Sequence, residues 1–305
     1  MRDNGGRDPW NVSSNYTLSG LAVRGLILLG MFWAPAVLAQ SMTPEAVAAD
    51  PLQLVKRAVA NELKPGNGLH PYKYRLEKLD DGKRTTKEIV ETKDGEISRV
   101  IEQGGQPLSG DANQTEIDRL NNLLAHPEVQ ERKHRKEQAD NNRDDEMVRM
   151  LPDAFLYHYE GTAEGPSGEV YRLSLKPNAS FNPPDRQGEV YAGMAGELWI
   201  DQKQERMVKL DVHLIADVNF GWGILGKLYK GGSILVEQKD VGNDHWEQYH
   251  FKLNLQGKAL LFKSLVFDIT EDESDFEAVP AEWRYQDAVR LLLGLKLPGA
   301  QVSQR

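Results

Sequence analysis

The chain has 305 residues, 40% of them hydrophobic and 27% charged, with a formal charge of −9 and no cysteine. That length suits one large or two small domains with a sizeable core. The acidic balance argues against nucleic acid as a partner, because phosphate binding needs a basic stripe. The lack of cysteine excludes disulfides, a thiolate nucleophile, thiolate-bound zinc and lipid attachment through an N-terminal cysteine.

Residues 25–39, GLILLGMFWAPAVLA, form an apolar run of 15 residues directly after Arg24. This is short of the ~20 residues a membrane helix needs. Pro35 stands near its end, and Val37 and Ala39 fall where a signal peptidase wants small side chains. The spacing predicts a signal peptide cleaved near Ala39, a periplasmic or secreted destination, and no stable membrane span in the mature chain. An uncleaved N-terminal anchor is the alternative. Residues 1–20 are polar and long for the region before a signal run. Cleavage would remove Arg2, Arg7, Arg24, Asp3 and Asp8 and leave a net charge near −10.

Thr43-Pro44-Glu45 reads as a helix start, with a capping Thr and Pro at the first turn. Pro51 breaks or restarts that helix. Leu52, Val55, Val59 and Leu63 then share one helical face, and Asn61 with Pro65-Gly66 marks the end. Residues 72–79, 85–92 and 96–103 read as strands joined at Asp80-Asp81-Gly82 and Lys93-Asp94-Gly95. Asp-Gly between such runs is a strong hairpin signal.

Residues 104–113 read as a loop and 115–124 as a helix with Ile117, Leu120, Leu123 and Leu124 on one face. Residues 128–146 carry dense charge of both signs and almost nothing apolar. They read as a solvated helix held by pairs such as Glu131–Arg135, or as a mobile excursion. An apolar face returns at Met147, Val148, Met150 and Leu151.

Strands are expected at 155–161 and 170–175, the latter ended by Pro177, with a loop through Asn182-Pro183-Pro184-Asp185. Apolar and polar residues alternate through 196–276 with turns at short intervals, the pattern of antiparallel strands with one dry face. Leu198 and Ile200 oppose Trp199, while Val208, Leu210, Val212 and Leu214 oppose Lys209, Asp211 and His213. Ile234 and Val236 mark one strand, and Tyr249, Phe251, Leu253 and Leu255 the next. A turn is expected at Gln256-Gly257-Lys258, then a last strand at 260–270 whose start, 259–262, is covered on both sides. A terminal helix follows the Val279-Pro280 break, with Trp283, Ala288 and residues 291–293.

No motif for catalysis or metal binding appears. None of the seven histidines forms H-x-H or H-E-x-x-H, and Asp211 with His213 reads as two solvent-facing residues. Glu271, Asp272, Glu273 and Asp275 lack calcium-loop spacing and read as a solvated loop. No cofactor is implied. Serine hydrolysis remains an alternative because triads scatter along a chain.

Residues 218–232, VNFGWGILGKLYKGG, interrupt the alternation. Here Phe220, Trp222, Ile224, Leu225, Leu228 and Tyr229 are interspersed with glycines that mark a bend. They form either an apolar lip over a cavity or the filling of a sheet corner.

The hairpin Gly196-Glu197-Leu198-Trp199-Ile200-Asp201, a polar turn, then Met207-Val208-Lys209-Leu210 resembles the lipoprotein-carrier superfamily (LolA/LolB-like, with the RseB-type regulators). As an architecture the resemblance spans residues 52–276. It implies an α+β fold: a curved, half-open, barrel-like antiparallel sheet over 40–276 with packing helices, followed by a C-terminal helix and tail. The function it implies is non-enzymatic binding or carriage of a lipid or lipoprotein acyl chain. An envelope protein-interaction or sensor module is the alternative, motivated by the charged run. Burying ~14 methylenes at ~0.8 kcal/mol each gains about 11 kcal/mol, against ~8 for micromolar binding. Half burial falls short, so a carrier needs a covering segment, and 218–232 is the candidate.

Overall fold

The computed structural model describes residues 43–64, 70–221, 223, 225–242, 244–260 and 263–296. The expected signal peptide with Val37 and Ala39 lies outside these residues, as do the Pro65-Gly66 stop, Trp222, Ile224, Leu261 and Phe262.

The N-terminal pair forms as α1 (Pro44–Ala49) and α2 (Pro51–Glu62). Thr43 Oγ1 accepts the Ala46 N–H at 3.4 Å, and the Asp50 carboxylate accepts that of Gln53 at 3.4 Å. The buried stripe of α2 is Leu54, Val55, Ala58, Val59 and Glu62, with Leu52 and Leu63 only at its margin. Glu62 tolerates burial because Arg206 donates to it twice, at 3.0 and 2.7 Å, and the Met207 N–H adds a third bond at 2.7 Å.

Next come β1 (Tyr72–Asp80), β2 (Lys83–Val90) and β3 (Ile97–Gln103), paired antiparallel in sequence. Asp81 and Gly82 take φ of 49° and 73°, the backbone a two-residue hairpin requires. The expected loop at 104–113 is shorter than read. It contains β4 (Gln106–Pro107), and α3 (Gly110–Ala125) starts early because Ser109 caps it. The charged run lies in one helix, α4 (Pro127–Ala154). Glu131 and Arg135 stand 3.9 Å apart and Lys133 and Glu137 3.0 Å apart on it.

The second half is β5 (Phe155–Gly165), β6 (Gly168–Pro177), α5 (Arg186–Tyr191), β7 (Met194–Asp201), β8 (Met207–Leu214), β9 (Val218–Phe220), β10 (Gly226–Leu228), β11 (Ser233–Gly242), β12 (His245–Ala259), β13 (Lys263–Ala278) and α6 (Tyr285–Leu292). The strands join one open, curved antiparallel sheet in the order β4-β3-β2-β1-β13-β12-β11-β8-β7-β6-β5, with the β9–β10 hairpin attached beside β12. The antiparallel sheet expected from the alternation is present, and with the helices it makes an α+β architecture.

Helices cover this sheet in two groups. Val47 of α1, Leu54 of α2 and Leu151 of α4 pack with Leu173, Leu198 and Val212 of the sheet. At the other end Leu120 of α3 and Val289 of α6 pack with Val90 and Ile97. The α6 helix thus belongs to a sheet-backed core.

Four readings of the strands need correction. A bulge between Trp199 and Ile200 pairs Ile200 with Met207, so Met207 enters the main core and Val208 joins Val170 and Trp246 instead. Gln256-Gly257-Lys258 is no turn: β12 runs through it, and glycine is needed because a Cβ at 257 would stand 2.2 Å from the Lys227 carbonyl of β10. The turn falls at Leu260, which has φ of 49° and is 53% exposed rather than covered on both sides. Finally, Glu271, Asp272, Glu273 and Asp275 are not a solvated loop but part of β13, paired with β1, and Glu271 and Glu273 are buried.

Candidate functional site

Between α4 and the middle of the sheet lies a cavity of about 230 Å³. Its roof is the last third of α4, which presents Asp144, Met147, Val148 and Leu151 at helical spacing. Its floor is the inner face of three neighbouring strands. Leu210 and Val212 come from β8, Ile234, Val236 and Gln238 from β11, and Gln248, Phe251 and Leu253 from β12. The side wall includes Tyr191 at the end of α5. Alternation places these apolar residues on one face of each strand.

The roof is fastened at both ends. Toward its start, Gln130 Nε2 donates to the Asp94 carbonyl at 2.9 Å, Lys133 Nζ donates to the Glu96 carbonyl, and the Glu96 N–H donates to Glu137 at 3.3 Å. All three bonds reach the turn between β2 and β3. Toward its end, Tyr157 Oη donates to the Leu151 carbonyl at 2.7 Å and Asn178 donates to the Asp153 carbonyl at 2.9 Å. The cavity is the space beneath a helix held at its ends.

Polar groups reach the cavity at few points. Asp144 is half-buried on α4, and burial raises its carboxyl from 3.8 to about 7, with Asp145 adding and Arg143 opposing. Burial raises the Tyr191 hydroxyl as well, helped by Asp144. Lys209 lines the cavity with its stem, but its ammonium pairs with Asp211 at 3.3 Å and lies 5.0 Å from the Trp199 ring centre. Gln238 and Gln248 face each other across β11 and β12.

A separate interior group is built from carboxylates. Glu91 accepts the Tyr72 N–H at 2.9 Å, Glu247 bonds His245 at 2.5 Å, and Glu271 pairs with Lys78 at 3.0 Å. Burial, reinforced by Glu247 and Glu271, pushes Glu273 well above the usual carboxylate range. Among the described residues no group of three or more acidic or histidine side chains is arranged to hold a metal. His213 is exposed on β8.

Of the expected lip residues, Phe220 and Leu228 are buried in the main core, Tyr229 is half-buried and Leu225 is 43% exposed. Trp222 and Ile224 lie outside the described residues. None of the four described residues lines the cavity, whose cover is α4. The sequence signal for that cover was the apolar return at Met147, Val148 and Leu151.

No family model matches the chain, and no curated protein matches it. Among solved structures it is similar to a domain described as an outer membrane lipoprotein-sorting protein from Vibrio parahaemolyticus, at 9% identity and a TM-score of 0.30, over 79% of this chain and 97% of that one. It is also similar to a DUF1329 family protein from Desulfovibrio piger, at 9% identity and a TM-score of 0.26, over 76% of this chain and 92% of that one. At scores of this size neither carries an argument about what the chain binds.

Proposed function

We propose that this protein is a non-enzymatic binder of an apolar chain, such as the acyl chain of a lipid or lipoprotein, seated in the cavity beneath α4. The observation that carries the reading is the cavity itself: about 230 Å³ between a helix and three strands, with a wall that is mostly aliphatic. Enclosed apolar space of ~150 Å³ suffices for benzene. Scaled to 230 Å³, the space takes about nine carbons. At ~0.8 kcal/mol per methylene that burial gains about 7 kcal/mol, close to the ~8 of micromolar binding before ordering costs. A longer chain extends beyond the cavity. The signal peptide expected at residues 25–39 supports an envelope or extracellular setting. No helix among the described residues is long and apolar enough to cross a membrane.

The test is native mass spectrometry of the purified protein for retained lipid, joined to displacement of a fluorescent apolar probe by alkyl chains of increasing length. Affinity should climb with each methylene up to about nine carbons and flatten beyond. No retained lipid together with no probe binding would overturn the reading.

A further inference from the structure

The cavity is not uniformly apolar. At the register position where β11 and β12 pair Gln238 with Gln248, two amide side chains stand on its wall. Gln238 is 4% exposed and Gln248 5% exposed. Both the Nε2 and the Oε1 of Gln248 are buried without a hydrogen-bond partner. A buried amide left unbonded is costly, and native structures rarely keep one without a reason. Gln238 follows Ile234 and Val236 on one face of β11, and the irregularity that brings Gln248 inward is local. A register shift between Glu237 and Gln238 places an extra residue, Tyr249, opposite them, and such bulges re-aim side chains.

We propose that Gln238 and Gln248 form the polar end of the cavity and receive the head of an amphipathic ligand that offers one donor and one acceptor, a carboxamide or a protonated carboxylic acid. The inference rests on the apolar-chain reading above and specifies its ligand. A primary amide presents N–H and C=O side by side, so it pairs with a second amide or a neutral carboxyl through two bonds at once. A charged head fits poorly. A carboxylate would lose its water among aliphatic walls with Asp144 on the same cavity, and the described lining offers it no free cation, since Lys209 is paired with Asp211. An ammonium would leave the acceptor-seeking Nε2 of Gln248 unbonded.

The experiment uses three ligands of one chain length, octane, octanamide and octanoate at pH 8, each displacing N-phenyl-1-naphthylamine from the full chain. Octanamide should bind about tenfold more tightly than octane, the worth of two net hydrogen bonds. Octanoate should bind no better than octane at pH 8, and should approach octanamide when the pH is lowered to 4.5. Gln248→Met keeps the length of the side chain and removes the amide, so the variant should stay folded by thermal melting and lose the preference for octanamide. Gln238→Met should lower the same preference. Equal binding of octane and octanamide by the unaltered protein would overturn the inference while leaving the apolar-chain reading intact. Failure of all three ligands, with no probe binding, would overturn both. Tight binding of octanoate at pH 8 would overturn the neutral head.

Discussion

At the scale of single residues, the interior tolerates groups that composition alone would place outside. Asp144 shows the cost. Its carboxyl titrates near about 7 in the folded chain because burial disfavours the charge; unfolded, it titrates near ~3.9. The folded chain therefore holds a proton that the unfolded chain has released. Its contribution to stability is fully present below the unfolded value and is lost as pH rises through about 7. Asp144→Asn removes that loss. The variant should gain on the unaltered protein as pH rises from about 4 to 7 and stay ahead above it, by on the order of 2–3 kcal/mol after allowance for partial exposure. Urea unfolding at a series of pH values checks this, and parallel curves would contradict it. Gly257 shows a steric demand. A methyl at 257 would lie 2.2 Å from the Lys227 carbonyl oxygen, a backbone atom that cannot turn aside. Gly257→Ala should cost about 1–3 kcal/mol in urea unfolding and loosen β10 from β12.

At the scale of elements, α4 decides the site. Its polar face is bound by ion pairs at helical spacing, each worth about 0.3–0.5 kcal/mol, so the pairs solvate the helix more than they hold it. What holds it is its ends. Gln130, buried, ties the first third to the turn between β2 and β3. Gln130→Ala should leave secondary structure intact and raise amide hydrogen exchange across residues 130–147 by about tenfold, the loss of one buried bond. Unchanged exchange there would show that the helix does not depend on that tie. The same elements show how far the chain could be read. Hairpins at Asp81-Gly82 and the paired strands β7 and β8 were legible because alternation and turn chemistry are local. The α5 helix was hidden by the Pro183-Pro184 loop before it, although Asp185 caps it. The inner strand of Glu271 and Glu273 read as a loop because acidic residues seldom fill a core. The cavity was illegible for a different reason. It is a gap between α4 and strands more than 50 residues away, and Gln248 looks like any solvent-facing glutamine until a bulge turns it inward.

At the scale of the molecule, β12 occupies the middle of the sheet order, and the strand beside it, β13, pairs with β1. The first four strands and strands β5 to β8 thus have no direct sheet pairing with each other; β11, β12 and β13 join them. A fragment ending at Ala259 keeps every helix except α6 but lacks the strand that bridges to β1. It should lose the single cooperative unfolding transition of the full chain, as followed by near-ultraviolet circular dichroism and urea; a retained sharp transition would show that the flanks fold independently.

The position of β13 has a further consequence in time. The strand that joins β1 to β12 in the sheet follows both of them in the chain. In a chain threaded N-terminus first through a membrane, β1 would emerge early and wait, its edge open, for a partner some 190 residues behind it. Such long-range pairing is slow to form. The topology delays completion of the sheet until β13 is available, and it leaves bare strand edges that need shielding in the interval.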